Sequence, residues 1–292
     1  KLGPTFPEEM PAAVEGRITL AVCSQPEAEA LQAAARQVGV RALAHLKVDT
    51  GMGRVGVSPE EAPAVARMLD AMPEVELGGI FTHLPVSDAA DTAFTKAQIA
   101  RFKATVDAVQ AALGRELLAH CANSGAVLGH GDAWMGMVRP GIMIYGFYPD
   151  RETPRSIPLE PGMSVCTRVS FLKRVPAGTS IGYGRTWVAP EDTWIATLPA
   201  GYADGFNRLR SNRGRVLIHG RSYPLVGRIC MDQSMVDLGP ATDVQVGDAA
   251  VLLGRQGNQE ISAYEWAEEL GTITYEVTCQ ISGRVARVYE RP

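Results

Sequence analysis

The sequence predicts an α/β half followed by a mainly antiparallel β half, on three observations. Short β-branched runs alternate with helix-like stretches at roughly thirty-residue spacing through the first half, the texture of βα units and a parallel sheet. From about Ser164 the helical periodicity gives way to short strands separated by Gly, Pro and Asp turns. At about 150 residues per domain the 292 residues leave room for two domains. The boundary is placed between residues 1–157 and 158–292, within a linker, Glu152–Pro161, that carries three prolines.

In chain order, the expected strands of the first half are Ile18–Val22, Ala44–Asp49, Leu77–His83, Leu117–Asn123 and Val138–Tyr145. Between them, Pro26–Val38, Pro59–Met72 and Asp91–Leu113 have apolar spacing near 3.6 and are rich in Ala, Glu, Lys and Gln, which favour helix. In the second half, Thr167–Val175, Trp194–Pro199, Arg215–Ile218, Tyr223–Ile229, Met235–Leu238 and Ala249–Leu253 read as strands. The helix signal there fades except at Ser262–Leu270. A complete (β/α)8 barrel takes about 250 residues, whereas only about 155 precede the β half, so the first half reads as a smaller open sheet or as a barrel without its first strands. The chain starts with Lys1, not Met, which favours the second.

Composition excludes several classes. Hydrophobic residues at 46% against 21% charged exclude a disordered chain. A net charge of −4 without a basic stripe argues against nucleic acid as partner. No apolar run reaches the ~18 residues of a membrane span, and Glu8, Glu9 and Glu15 stand where a signal peptide needs an apolar stretch. The five scattered cysteines form no C-x-x-C, so free thiols in a reducing cytoplasm are expected.

Polar residues cluster at the carboxyl ends of the predicted strands: Lys47 and Asp49, Thr82 and His83, His120 and Asn123, and Arg139. That end is where α/β folds bind ligands. Gly51-Met52-Gly53-Arg54-Val55-Gly56 matches G-x-G-x-x-G, but its glycines do not open a helix directly as a dinucleotide fingerprint requires. It reads instead as a tight loop holding Arg54 over a site. His83, Asp88, Asp91 and His120 lack metal-ligand spacing, so no metal is expected. Ser124 has no G-x-S-x-G elbow; beside Gly125 it suits phosphate better than nucleophilic catalysis.

Residues 45–57, HLKVDTGMGRVGV, resemble the alanine racemase family, the fold-type III pyridoxal phosphate enzymes. The resemblance continues through FTHLPVSDAAD (81–91), HCANS (120–124), MVRPGIMIYG (137–146), GYADGF (201–206), VGRICMDQSMVDLG (226–239) and ITYEV (273–277), in the family's order. It implies a pyridoxal phosphate-binding (β/α)8 (TIM-type) barrel, here partial, followed by a β domain. The implied protein is a homodimer with shared active sites that racemises L- and D-alanine, supplying D-alanine for peptidoglycan.

At matching positions the resemblance implies roles. Arg139 faces the pyridine nitrogen of the coenzyme; arginine does not give up its proton, which favours simple proton return over decarboxylation. Ser124, the backbone of Gly141 and Ile142, and the Tyr275 hydroxyl form the phosphate cradle. Arg54 lies near the coenzyme's phenolic oxygen and the substrate carboxylate, and Lys47 matches a lysine often carbamylated in the family, where it holds Arg54. Tyr202 is the second catalytic base, acting in the partner's site with help from His83 and Arg139 through a hydrogen-bond relay. Met231, also from the partner, offers its N–H to the substrate carboxylate, in a loop shaped by Cys230 and Asp232.

The family's coenzyme lysine lies in an early strand before an Asn-Ala-Tyr-Gly-type loop, and no segment here resembles it; Lys1 precedes Leu2-Gly3. The expectation is a chain that starts near the end of the third barrel strand and is inactive alone. Other readings are a decarboxylase or coenzyme carrier on the same barrel, a serine racemase, and a non-catalytic remnant. Serine adds only a hydroxyl, which pockets reject poorly.

Overall fold

The computed structural model describes residues 1–290, in two compact units: residues 1–144 with 148–158, and residues 145–147 with those from 159 onward. In the first unit α1 (Met10–Glu15), β1 (Leu20–Val22), α2 (Gln25–Val38), β2 (Ala42–Lys47), α3 (Ala62–Asp70), β3 (Val75–Phe81), α4 (Ala93–Leu113), β4 (Leu118–His120) and α5 (Ser124–Gly129) follow one another. The four strands are parallel and pair in sequence order, β1-β2-β3-β4. Sequential order without a switch point is the arc of a (β/α) barrel rather than a doubly wound sheet.

Local chemistry sets the helix ends. The Ser24 hydroxyl accepts from the Glu27 N–H at 3.4 Å to open α2, and Gly39 closes it in the left-handed region at φ 73°. Ala28, Leu31, Ala34 and Ala35 recur at helical spacing and are buried on one face. α3 is shorter than the expected 59–72. Ser58 and Glu61 hydrogen-bond each other through side chain and backbone, and that turn occupies the residues before Ala62. α4 runs 21 residues, its first N–H taken by the Asp91 carboxylate at 2.9 Å.

Within the sheet, β2 and β3 keep register Ala42↔Val75 to Ala44↔Leu77, then shift so that His45 pairs with Gly79. Gly78 is the extra residue of this bulge. The shift resets the alternation: Val75, Leu77 and, beyond it, Ile80 all join the core that also takes Ala44, Leu46, Leu31, Leu69 and Phe102. His45, Lys47, Gly79, Phe81 and His120 are left together on the other face.

One expected strand is absent. Over Val138–Tyr145 the Arg139 N–H bonds to the Ala122 carbonyl at 2.8 Å, but Pro140 has no N–H to continue a ladder, and Ile142–Tyr145 winds into a 3-10 turn. The Leu117–Asn123 strand is likewise trimmed to β4, because Asn123 turns to cap α5, accepting from the Ala126 N–H at 3.2 Å.

The second unit contains β5 (Val165–Arg168), β6 (Phe171–Val175), β7 (Ser180–Ile181), β8 (Trp187–Val188), β9 (Thr193–Leu198), β10 (Arg215–Ile218), β11 (Arg221–Pro224), β12 (Ser234–Gly239), β13 (Ala249–Gln256), β14 (Gln259–Ile261), α6 (Ala263–Leu270) and α7 (Thr274–Gln280). All its pairings are antiparallel: β11-β10-β13-β14 with β5 on β13, β12-β9-β6, and the β7-β8 hairpin. The expected strand Thr167–Val175 is two strands in two sheets: the Val169 N–H bonds to Asp248 and the next N–H, of Ser170, to Thr197. The expected Tyr223–Ile229 strand ends at Pro224, and Gly227 turns with φ 73°. α7 is a helix the composition does not announce, since Thr and Val are weak helix formers; burial of Thr274 and Val277 holds it.

Candidate active site

The face of the parallel sheet that carries Lys47, Phe81 and His120 holds a hydrogen-bonded polar cluster. Arg139 anchors it. Its Nη1 donates to His120 Nδ1 at 2.6 Å, and its Nη2 donates to the Thr82 carbonyl at 2.8 Å and the Cys121 carbonyl at 3.3 Å. Its carbon lies 5.5 Å from the centre of the Phe81 ring. Nε of Arg139 is buried and makes no hydrogen bond within the protein. Burial pulls the Arg139 pKa down to about 10, so it stays cationic near neutrality.

His83 stands at the end of β3, half-buried. Desolvation, then the fields of Arg139, Arg54 and Lys47, push its pKa down to about 4, which keeps the imidazole neutral. The expected hydrogen-bond relay joining His83 to Arg139 is not what the side chains form. Arginine's imidazole partner is His120, and its influence on His83 is through charge. His120 is stacked on Phe81 at 4.9 Å and pushed down to about 3, by desolvation first and then by Arg139.

Lys47 is 1% exposed, and its Nζ donates to the carbonyls of Val48 at 2.7 Å and Val55 at 3.1 Å. Desolvation lowers its pKa to about 8, so a sizeable fraction is a neutral amine in mild alkali. It holds the backbone next to Arg54 rather than the guanidinium itself. The Arg54 loop is fastened from below: the Asp49 carboxylate accepts the N–H groups of Gly51, Met52 and Gly53 at 2.9–3.1 Å. Burial works against that carboxylate, but these N–H groups and Lys47 outweigh it and hold it below the ordinary range. The loop needs its glycines. Gly56 has φ 122°, and a Cβ there would sit 2.8 Å from the Asp49 nitrogen. Arg54 itself is exposed.

A second cradle lies at Ser124. Its Oγ accepts from the Gly141 N–H at 2.8 Å and the Met143 N–H at 3.4 Å, so the hydroxyl hydrogen is left to donate outward. Gly125 is pressed against Ser87 and Asp88, where a Cβ would meet the Ser87 Oγ at 2.7 Å. Ile142 follows Gly141 at the start of the 3-10 turn. The outward hydroxyl hydrogen is a donor that a phosphate accepts, and the Gly141 N–H that now serves the Ser124 Oγ lies beside it. The Nε of Arg139 is a buried donor for which the protein supplies no acceptor. Together they fit pyridoxal phosphate, which offers a phosphate and a pyridine nitrogen. Among the described residues no three of His, Cys, Asp and Glu converge as a metal would need.

Tyr202, Met231 and Tyr275 belong to the second unit. Tyr202 opens a 3-10 turn, Tyr202–Asp204, and lines a cleft of about 420 Å3 with Gly205, Asn207, Arg208 and Gln280. Its loop is stitched to that of Met231: the Tyr202 N–H bonds to Cys230 and the Ala203 N–H to Met231, each at 3.0 Å. Gly201 permits the approach, for a Cβ there would lie 2.3 Å from the Met231 oxygen. Arg284 ties both loops, reaching Asp204 at 3.1 Å and Asp232 at 2.6 Å. Met231 is exposed, and Tyr275 sits exposed in the first turn of α7. A further exposed phenol, Tyr183, sits in the turn between β7 and β8, outside every motif that the sequence offers. The clue available was its setting between glycines, Gly182-Tyr183-Gly184.

The chain is similar to known proteins over nearly its whole length. Family models described as "Alanine racemase, N-terminal domain" and "Alanine racemase, C-terminal domain" match residues 1–149 and 162–289. The chain is 47% identical over 290 residues to an alanine racemase of Cutibacterium acnes, covering 99% of this chain and 77% of that protein. It is 48% identical over 271 residues to one from Chlorobaculum tepidum, covering 93% and 70%. Among solved structures, the alanine racemase of Clostridium difficile 630 superposes with a TM-score of 0.94 at 36% identity, over 99% of this chain and 75% of that one.

Proposed function

The chain belongs to the alanine racemase family, and from that premise we propose how its residues share the work of interconverting L- and D-alanine. It is a pyridoxal phosphate-dependent isomerase acting on an amino acid. Bound there, the coenzyme supplies the electron sink that makes the α-proton of alanine acidic. Ser124, with the backbone of Gly141 and Ile142, would hold its phosphate, joined by the Tyr275 hydroxyl. Arg139 would place its Nε–H at the pyridine nitrogen; being cationic, it offers a hydrogen bond and keeps its proton. Arg54 would bind the substrate carboxylate, and Lys47, neutral enough to carry a carbamate, would steady the Arg54 loop. His83, held neutral among three cations, is fit to pass a proton rather than to store one. The observation that carries this reading is the buried, unpartnered Nε of Arg139, whose neighbouring nitrogens already donate to His120, Thr82 and Cys121.

The second base is an exposed phenol of the β-rich unit, donated by one copy of the chain to the other's barrel, with Met231 beside it binding the substrate carboxylate. Tyr202 is the first candidate because its loop is bonded directly to that of Met231. Exposure favours a second reading, Tyr183. It is 70% exposed against 43% for Tyr202, and its turn carries a left-handed Arg185 at φ 49°, with Arg228 close by at Gly184. A base that must reach another molecule has to project. The test is Tyr202→Phe and Tyr183→Phe holoenzyme, each assayed from L- and D-alanine in D2O. Loss of the base should cut kcat by about 10²–10⁴ and slow deuterium entry at the α-carbon with it. Full activity in both variants would sink the two-base assignment. Five free cysteines in one chain fit a cytoplasmic enzyme, and no helix among the described residues is long and apolar enough to cross a membrane.

A further inference from the structure

Arg139 is held by a chain of imidazoles that extends one residue beyond its direct partner. Arginine only donates, so His120 Nδ1, 2.6 Å away, must be the acceptor and carry no proton. A neutral imidazole has one N–H, which therefore sits on His120 Nε2. That nitrogen lies 2.8 Å from His45 Nδ1, which must accept in turn. One direction of donation runs through all three side chains, Arg139 to His120 to His45.

The sheet is built around this contact. His45 is on β2 and His120 on β4, with β3 between them, and their rings approach to 5.0 Å. They can meet because β3 has no side chain in the way. A Cβ on Gly79 would lie 2.7 Å from both Cε1 and Nε2 of His45. The Gly78 bulge brings that notch opposite His45. Two successive glycines weaken a strand interior, and a buried imidazole beside a half-buried one costs desolvation that an apolar pair would avoid. Packing alone does not ask for this arrangement.

We propose that His45 is a positioning residue for racemisation: by accepting the His120 Nε2–H it pins that ring, sharpens Nδ1 as an acceptor, and thereby fixes the Arg139 guanidinium. The inference rests on the reading that Arg139 faces the coenzyme. A first measurement is independent of that reading. The protein, freed of pyridoxal phosphate and labelled with 15N-histidine, has five histidine rings, and His120→Gln assigns the one of interest.

In the unaltered chain His120 should show an unprotonated Nδ1 and a protected Nε2–H. In His45→Leu that proton should exchange at least roughly tenfold faster, as expected when a buried N–H loses its acceptor. His45→Asn, whose Oδ1 takes the place of Nδ1, should stay within about threefold of the unaltered rate. His45→Gln, whose oxygen reaches the wrong position, should behave as His45→Leu does and serves if the leucine variant does not fold. Unchanged exchange in His45→Leu or His45→Gln overturns the proposal. In holoenzyme, the same two variants should lose about tenfold in kcat with KM for alanine nearly unmoved, and His45→Asn should recover it. If exchange responds as described but kcat does not, the link to catalysis is overturned through the placement of Arg139, and the ring chain stands as architecture.

Discussion

Burial, rather than pairing with opposite charge, sets the protonation of the residues around Arg139. His83 and His120 are pushed from 6.5 to about 4 and about 3, and Lys47 from 10.5 to about 8. Each shift disfavours the protonated form in the folded state. Between about pH 3 and 6.5 the unfolded chain therefore binds more protons at these two histidines than the folded one, so their contribution to stability is fully present above 6.5 and is lost as pH falls. Lys47 acts with the same sign higher up, adding stability as pH rises from about 8 to 10.5. Urea midpoints should fall steadily below neutrality, and His120→Gln should flatten that fall; a profile as steep as the parent's would contradict the assignment. At this scale the sequence was legible in part. Lys47, Ser124 and Arg139 stand out as polar residues at strand ends. His120 is visible only as one more of them, and His45 not at all, because its meeting with His120 depends on a bulge that no local pattern announces.

Elements carry the site by bringing backbone donors to side-chain anchors. The Asp49 carboxylate gathers the amides of Gly51, Met52 and Gly53 into one turn and so decides where the following Arg54 begins. Asp49→Ala should leave those amides without an acceptor, cost about 1–3 kcal/mol, and speed their hydrogen exchange while exchange in α4 keeps pace only with the global loss. Equal acceleration everywhere would mean the turn is not an independent fastening. The Arg284 clamp acts likewise on the second unit, joining the Tyr202 and Met231 loops through Asp204 and Asp232. Being exposed, it should weaken with salt, and Arg284→Ala should make the Tyr202 and Ala203 amides exchange faster at low ionic strength, with the difference shrinking in about 1 M salt. No change at low salt would remove the clamp from the account. Elements with regular periodicity, such as α2 and α4, were readable to within a residue or two. Those governed by single residues were not: Pro140 turns an apparent strand into a 3-10 segment, and the step from Val169 to Ser170 moves one apparent strand between sheets.

At the level of the whole molecule, the division of labour between units makes a claim about assembly. Of the residues proposed for the coenzyme, Ser124, Arg139 and Gly141 lie in the first unit, and the candidate base phenols Tyr202 and Tyr183, with Met231, in the second. If each site draws its first-unit residues from one chain and its phenol from the other, two different inactive variants can repair one another. Arg139→Gln and whichever phenol variant proves inactive, Tyr202→Phe or Tyr183→Phe, should each be inert as purified. Co-unfolded and refolded at equal amounts, half of the dimers would be mixed. Each mixed dimer would hold one doubly altered site and one intact site, so about a quarter of the unaltered activity should return, a consequence of two-fold symmetry. The recovered activity should fall on dilution with the dimer fraction, followed by sedimentation. A site closed within a single chain allows no such recovery at any mixing ratio, because every site would then retain one of the two lesions.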